Sequence, residues 1–341
     1  MKQVNWGIVG LGNIAEQFAE AFKFSENAKL VAIASHNQKK IDKFRDKFQI
    51  EEKYCFSSYE KLLSCNDIDI VYIALPNSLH YNLIVRSIKN KKKILVEKPA
   101  TMNLNEIEDI KKKYVDKNFF FAEAFMYIYH PQILKVIELI KGGTIGELLS
   151  METFFGRNIL TKKNLFGFTK NKKIDQENRK YNKKLGGGVI LDLGCYTVSL
   201  SVLIASLVSS IDFDKVQIKN KNKKIGPTGV EVDASAEIVF QKGFQSKVHV
   251  SYAKDLGRKT RIIGKKGELV IENTWHANPS RINIIKKEME EIQVNTRDNI
   301  FSYEIEAISK SILENKQKPN FPGLTIDETY GNMKLIDKWL N

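Results

Sequence analysis

Asp192 and Tyr196 stand four residues apart in an apolar run, Val189–Val208, that reads as a buried helix. Four residues is a little over one helical turn, so both side chains project from one face. A tyrosine hydroxyl at its ordinary pKa of about 10 is a poor base at neutral pH. A nearby ammonium stabilises the phenolate and brings that value down. Lys98 is the candidate cation, because it closes a strand-like run, Ile94–Glu97. Ligands of doubly wound sheets gather at the carboxyl ends of the strands. Such a trio can pass a proton to and from an alcohol oxygen. Each member also has a plainer reading. Tyr196 fits a core tyrosine with a satisfied hydroxyl, Asp192 a cap on a buried turn, and Lys98-Pro99 a simple turn.

A hydride carrier is indicated at the start of the chain. The apolar run Val4–Val9 leads into Gly10-x-Gly12-x-x-Ala15 and then into a helical pattern through Phe24. This is the dinucleotide fingerprint in its required strand–turn–helix context. Gly10 permits the tight turn, Gly12 leaves room for a pyrophosphate, and Ala15 lets helix and strand pack. Asn13 and Ile14 open the helix, whose N–H groups and dipole favour phosphate charge. The second strand ends Ala34-Ser35-His36-Asn37, with Lys39 and Lys40 one turn on. NAD enzymes usually carry an acid there. Its absence, with Ser35 and His36 as donors and lysines nearby, favours NADP over NAD. Alternatively, His36 and the lysines form a solvated helix start.

Residues 1–122 alternate strands (Val4–Val9, Leu30–Ser35, Ile70–Ala74, Ile94–Glu97, Phe119–Ala122) with helices (13–24, 38–48, 59–64, 79–90, 104–115). That alternation implies a doubly wound parallel sheet, hence an α/β Rossmann domain. Residues 123–341 change pattern and are expected to form an α+β domain. A helix at 131–141 and a strand at 148–155 precede a polar loop, 161–184, and the apolar helix. Strand-like runs follow at 213–219, 231–240, 245–252, 259–264, 267–272, 281–286 and 291–295, with final helices at 301–315 and 325–340. This predicts a large, mainly antiparallel open sheet with helices on one face. Its open face is expected to be apolar and to require cover.

Further segments carry a family resemblance: Pro76-Asn77-x-x-His80, Glu97-Lys98-Pro99, Glu123-Ala-Phe-Met followed by His130-Pro131, Arg179-x-x-Asn182, and Gly186-Gly-Gly188-x-x-x-Asp192-x-x-x-Tyr196. In this order they resemble the glucose–fructose oxidoreductase/inositol dehydrogenase (Gfo/Idh/MocA) family. The tyrosine at 196 resembles the branch of dihydrodiol dehydrogenase, NADP-dependent xylose dehydrogenase and glucose–fructose oxidoreductase.

The resemblance implies an NAD(P)-dependent oxidoreductase acting on a sugar or polyol, with Tyr196 as acid/base. It places Lys98 between nicotinamide and substrate, often with a cis bond before the proline. Asp192 would bind a sugar hydroxyl or fix the tyrosine. Pro76, Asn77, His80 and Glu97 would line the cofactor, with His80 alternatively a helix-start residue. Glu123 would sit near cofactor or substrate, or alternatively in a domain-joining salt bridge. Arg179 would reach substrate or anchor its loop. Close relatives often carry Arg where this chain has Ile128, so Ile128 and the 161–184 loop are expected to decide specificity. The resemblance also implies a homodimer or homotetramer paired through the open sheet. A cofactor-binding redox sensor, and a sugar–sugar oxidoreductase that retains NADP, are the rival readings.

The net charge of +14 invites a nucleic-acid partner. However, 46 lysines against eight arginines, in runs without interleaved aromatics, describe solvated surface. No nucleic-acid partner is expected. Three cysteines without C-x-x-C spacing, and five scattered histidines, give no disulfide framework or metal site. The first strand starts too early for a signal peptide. Asp192 and the serines in the apolar run argue against a membrane span. A cytoplasmic enzyme is therefore expected.

Overall fold

A computed structural model describes residues 2–114, 119–163, 168–297 and 299–341. Residue 115 of the expected fifth helix and residues 164–167 of the expected loop lie outside them. The chain divides into two units, Met1–Tyr129 with Arg297–Tyr330, and His130–Thr296 with Gly331–Asn341.

In the first unit, β1 (Val4–Val9), α1 (Asn13–Ala21), β2 (Ala28–Ala34), α2 (Gln38–Phe48), β3 (Cys55–Phe56), α3 (Tyr59–Leu63), β4 (Ile70–Ile73), α4 (His80–Lys89), β5 (Lys93–Glu97), α5 (Leu104–Tyr114) and β6 (Phe121–Ala124) follow one another. The sheet order is β3-β2-β1-β4-β5-β6, and every pair is parallel. Strand order reverses between β1 and β4, the point at which such sheets bind ligands. Register sets Val9 against Ala34 and Ile73, and Ile73 against Val96. The strands therefore end nearly level, and Gly10, Ser35, Pro76 and Lys98 all emerge along one edge. β4 and β6 are buried throughout, as parallel strands covered on both faces must be.

The unit does not end at residue 122. Tyr129 still belongs to it, and the chain returns with α8, Phe301–Leu313. Phe301, Ile305, Ile308 and Ile312 form the buried stripe of α8. Phe301 meets Phe18 edge-on, while Phe18 stacks on Tyr72 at 3.8 Å. The Trp6 indole donates to Ser309 Oγ at 3.0 Å. Sequence order conceals this return, because an amphipathic helix does not show which sheet it will cover.

In the second unit, α6 (Pro131–Lys141) and β7 (Leu148–Gly156) precede a short hairpin, β8 (Thr161–Lys163) with β9 (Thr169–Asn171). The expected loop is therefore partly structured. Then come α7 (Cys195–Ser206), β10 (Gln217–Ile225), β11 (Glu231–Val239), β12 (Gln245–Ser251), β13 (Thr260–Gly264), β14 (Gly267–Ile271), β15 (Arg281–Ile285) and β16 (Met289–Gln293). The last helix, α9, spans Ile326–Leu340 and crosses the division between the units. The eight-stranded sheet runs β10-β11-β12-β7-β13-β14-β15-β16, antiparallel except for the parallel pair β12–β7.

The helical run Lys183–Ser206, which ends in α7, is long and apolar enough to raise the membrane question, yet Cys195–Ala205 are all buried. β10 begins four residues later than expected and has eight of its nine residues exposed. Its lysines mark an edge strand. Two of them, Lys221 and Lys223, donate to the Lys338 and Leu340 carbonyls at the end of α9.

The open face differs from the expectation of an apolar surface. Along β11, Val232, Ala234, Ala236 and Ile238 are buried, while Asp233, Ser235 and Glu237 alternate with them on the other face. Lys247 faces Glu152 at 3.6 Å, Arg261 grips Glu268 through two nitrogens, and Lys254 reaches Asp233. Alternation along β11 buries its apolar set, while the register leaves a charged ladder on the other face, interspersed with Phe154, Ile263 and Val270.

Candidate active site

In the first unit the candidate cofactor groups are mostly backbone. Gly10 adopts φ +91°, and a Cβ there would fall 2.6 Å from the Ala74 carbonyl oxygen. Gly12 is the N-cap of α1, makes no side-chain cap, and its Cβ would meet nothing within 4 Å. The N–H groups of Asn13, Ile14 and Ala15 have no acceptor one turn back, so the helix opens on an uncovered cradle of donors. Glu16, the acid in this turn, is engaged by Lys43 and Lys47 and held below its ordinary range. A dinucleotide pyrophosphate fits this donor set.

At the end of β2, Ser35 Oγ accepts from Asn37 N–H at 3.2 Å, which leaves its hydroxyl proton available. His36 is exposed, lies 4.1 Å from the Tyr59 ring, and has Nδ1 3.0 Å from the Ser57 carbonyl. Asn37 caps α2 by accepting from Lys40 N–H.

The β4 and β5 ends behave partly otherwise than expected. Pro76 is exposed and Asn77 is buried at the head of a 3-10 turn. His80 does not line a surface. It is fully buried, with Nδ1 3.0 Å from the Pro99 carbonyl and Nε2 2.8 Å from the Leu75 carbonyl. Glu97 accepts from the Tyr72 hydroxyl at 2.5 Å and from Lys98 N–H at 3.2 Å, so the protein's own groups hold its carboxylate. Lys98 is half-buried, and the Lys98–Pro99 bond is cis.

Glu123 is held by groups of its own unit, with no salt bridge among the described residues. It is buried and accepts from Ala100 N–H and the Thr329 hydroxyl, both at 2.9 Å. Burial pushes its carboxyl up to about 7. Ile128 is also fully buried and fills core. Sequence reasoning missed Glu304 on α8. It is fully buried, neither oxygen has a hydrogen-bond partner among the described residues, and burial pushes it well above the carboxylate range.

The second unit carries the other candidate residues. Ile190–Gly194 form a π-helical turn before α7, where a regular helix was expected. Such turns widen a helix locally and recur at functional sites. Asp192, in this turn, accepts from the Tyr252 hydroxyl at 2.7 Å and lies 3.9 Å from the Arg179 guanidinium. Burial, then Asp192, push the Tyr252 hydroxyl well above its ordinary value, so it remains a donor. Tyr181 meets Tyr252 edge-on.

The Tyr196 ring packs edge-on against Phe155 and Trp275, 5.4 and 5.7 Å away, and Trp275 stacks on Phe155. The Trp275 indole is anchored to the Phe154 carbonyl at 2.9 Å. The glycine run is a geometric requirement rather than a flexible start. Gly186 and Gly188 take φ +78° and +118°, and a Cβ at Gly187 would fall 2.7 Å from the Arg179 carbonyl. Tyr252, Phe155 and Trp275 were not identified from sequence; alternation shows that Tyr252 and Phe155 lie at strand ends, without showing which ends form a site.

The second unit therefore brings Asp192 and Arg179 together and packs Tyr196 one turn beyond. The first unit collects the glycines, Ser35, His36, Pro76, Asn77 and Lys98 along one edge. Among the described residues, no cluster of three or more His, Cys, Asp or Glu side chains could hold a metal.

Fold and cradle together define an oxidoreductase with an NAD-binding Rossmann domain. Residues 4–124 match the profile of the oxidoreductase family, NAD-binding Rossmann fold, and residues 133–270 match the GFO/IDH/MocA C-terminal domain. The chain belongs to the Gfo/Idh/MocA oxidoreductase family. It is 26% identical to a trans-1,2-dihydrobenzene-1,2-diol dehydrogenase of Xenopus tropicalis, over 92% of this chain and 91% of the relative. It is 25% identical to a D-xylose 1-dehydrogenase (NADP(+)) of Haloferax volcanii, over 97% and 95%. Among solved structures, an aldose-aldose oxidoreductase from Caulobacter crescentus complexed with glycerol shares the fold, with TM-score 0.85, 19% identity and coverage of 99% and 97%. A 3-ketoreductase from Actinomadura kijaniata in complex with NADP and TDP-benzene does so too, with TM-score 0.80, 20% identity and coverage of 98% and 96%.

Proposed function

We propose that this chain is an NADP-preferring dehydrogenase or reductase that interconverts a sugar hemiacetal or secondary alcohol with the lactone or ketone. A pyranose oxidised at C1 is the leading substrate class, and a trans-dihydrodiol is the second. The observation that carries this reading is the second unit's constellation, in which Tyr196 stands against an aromatic wall one turn beyond an Asp192 already held by Tyr252 and Arg179. A sensor that only bound nucleotide would not need it.

The nicotinamide supplies the hydride acceptor or donor when bound. Tyr196 exchanges the proton of the reacting hydroxyl, and Lys98 is assigned the cation that stabilises its phenolate. Asp192, aimed by Tyr252, takes a hydrogen bond from a neighbouring substrate hydroxyl, with Arg179 balancing its charge. Gly12 and the first turn of α1 hold the pyrophosphate. Ser35, His36, Lys39 and Lys40 meet the 2′-phosphate, with no carboxylate at the end of β2 to repel it. The relatives' names, a dihydrodiol dehydrogenase and an NADP-linked xylose dehydrogenase, support the same substrate and cofactor classes.

Three free cysteines suit a reducing, cytoplasmic setting. Self-association through the sheet face would rest on its charged ladder, and sedimentation at low and high salt reads it directly. The primary test is titration of NADP(H) and NAD(H) by fluorescence, followed by a screen of aldoses, polyols and dihydrodiols for nucleotide reduction. Tighter NADP(H) binding with turnover on one of these classes is expected. Absence of any nucleotide binding overturns the reading. Nucleotide retained through purification would indicate sugar–sugar transfer, and binding without turnover a sensor.

A further inference from the structure

His80 is placed where a neutral imidazole cannot satisfy its surroundings. Its two ring nitrogens lie 3.0 and 2.8 Å from two carbonyl oxygens, those of Pro99 and Leu75, and the side chain is fully buried. A neutral ring has one N–H and one lone pair. One of the contacts would then set a lone pair against a carbonyl oxygen, away from water, which is costly. An imidazolium donates at both.

A second observation concerns the same peptide. The Pro99–Ala100 unit presents its carbonyl to His80 and its N–H to Glu123 Oε1, at 2.9 Å. A cation at the carbonyl end and an anion at the N–H end both align with the peptide dipole, so each hydrogen bond strengthens the other.

We propose that His80 is held as an imidazolium and, with the Glu123 carboxylate across the Pro99–Ala100 peptide, clamps the turn that presents Lys98. His80 and Glu123 are positioning residues. Neither acts on substrate; together they fix the strand ends between which Lys98 emerges. That functional consequence rests on the proposed role of Lys98, whereas the protonation state does not.

On the β5 turn stand Glu97, bound to Tyr72, and Lys98. On α5, Glu106 takes the Met102 N–H and Asp109 takes the Tyr81 hydroxyl. Glu60 of α3 pairs with Arg86 of α4. Glu123 of β6 is raised to about 7, so it carries its charge above neutrality, and the full clamp is present there.

The test is long-range 15N–1H NMR of the full chain labelled at its five histidines. An ordinary imidazole, with a pKa of about 6.5, has lost its second proton by pH 8. His130 and His276 are held below that by burial. One histidine with two protonated nitrogens at pH 8, absent from His80→Gln, is expected. No such histidine at pH 8 overturns the proposal. Should His80→Gln fail to fold, Glu123→Gln serves as the second arm. It keeps an acceptor for Ala100 N–H but removes the charge, so the doubly protonated signal should vanish at a lower pH than in the parent. An unchanged titration in that variant overturns the clamp. Failure of the parent chain to bind nucleotide would sink the oxidoreductase reading while leaving this spectrum intact.

Discussion

The two units encode their candidate functional residues in different ways. In the first unit the candidate cofactor groups are backbone: a positive-φ glycine and an uncapped helix start, both specified within one short segment. In the second, the candidate groups are side chains drawn from distant segments, with Arg179, Asp192, Tyr196, Tyr252 and Trp275 supplied by a loop, a π turn, a helix, a strand end and a turn. A backbone site tolerates change in its side chains but not in its glycines. A side-chain site should lose activity stepwise as its members are removed, while nucleotide binding persists.

The largest expected effect is Tyr196→Phe, which should cut turnover by about 10²–10⁴-fold through loss of the acid/base. Steady-state kinetics on the substrate found by the screen will read it. Gly10→Ala should weaken NADPH binding by roughly 30–100-fold, because a side chain at φ +91° meets the Ala74 carbonyl and costs about 2–3 kcal/mol. Fluorescence titration with a melting curve alongside would separate lost affinity from lost fold. Tyr252→Phe strips Asp192 of its 2.7 Å donor and should raise KM by about 3–10-fold with a smaller change in kcat. A change confined to kcat would instead assign Asp192 to the chemical step.

The smallest effect on activity, and a distinct one on stability, belongs to Glu304. Its folded-state pKa lies above the unfolded value of 4.5, because burial disfavours the anion. The unfolded chain releases this proton above about 4.5 while the folded chain keeps it. Stability is therefore fully present below about 4.5 and is lost as pH rises toward the folded value, by about 1.4 kcal/mol per pH unit. Glu304→Gln should flatten that loss and melt higher than the parent at pH 8, with little difference near pH 4.5. Equal melting temperatures at pH 8 would show that Glu304 ionises in the folded state.

The same contrast explains what the sequence revealed. Strand–turn–helix at Gly10–Ala15 is local, so its geometry was legible, as were the parallel sheet and the level of Lys98 on it. The return of α8 to the first unit was not, since Phe301, Ile305, Ile308 and Ile312 show a stripe but not its partner. Lysine content hid the extent of β10, which was expected at 213–219 and runs on to Ile225. His80 and Glu123 were recognised as notable, yet their carbonyl and N–H partners are backbone groups that no side-chain pattern reports. Tyr252 and Trp275 became visible only once the strands were in register. The open face was expected to be apolar, whereas the register mixes charged pairs there with Phe154, Ile263 and Val270.

The most direct test is the NADPH dissociation constant of the parent, Gly10→Ala and Tyr196→Phe measured side by side by nucleotide fluorescence. If backbone in one unit binds the cofactor and a side chain in the other does the chemistry, Tyr196→Phe stays within about twofold of the parent and Gly10→Ala falls well below it. Loss of nucleotide by Tyr196→Phe, or its full retention by Gly10→Ala, would contradict the account.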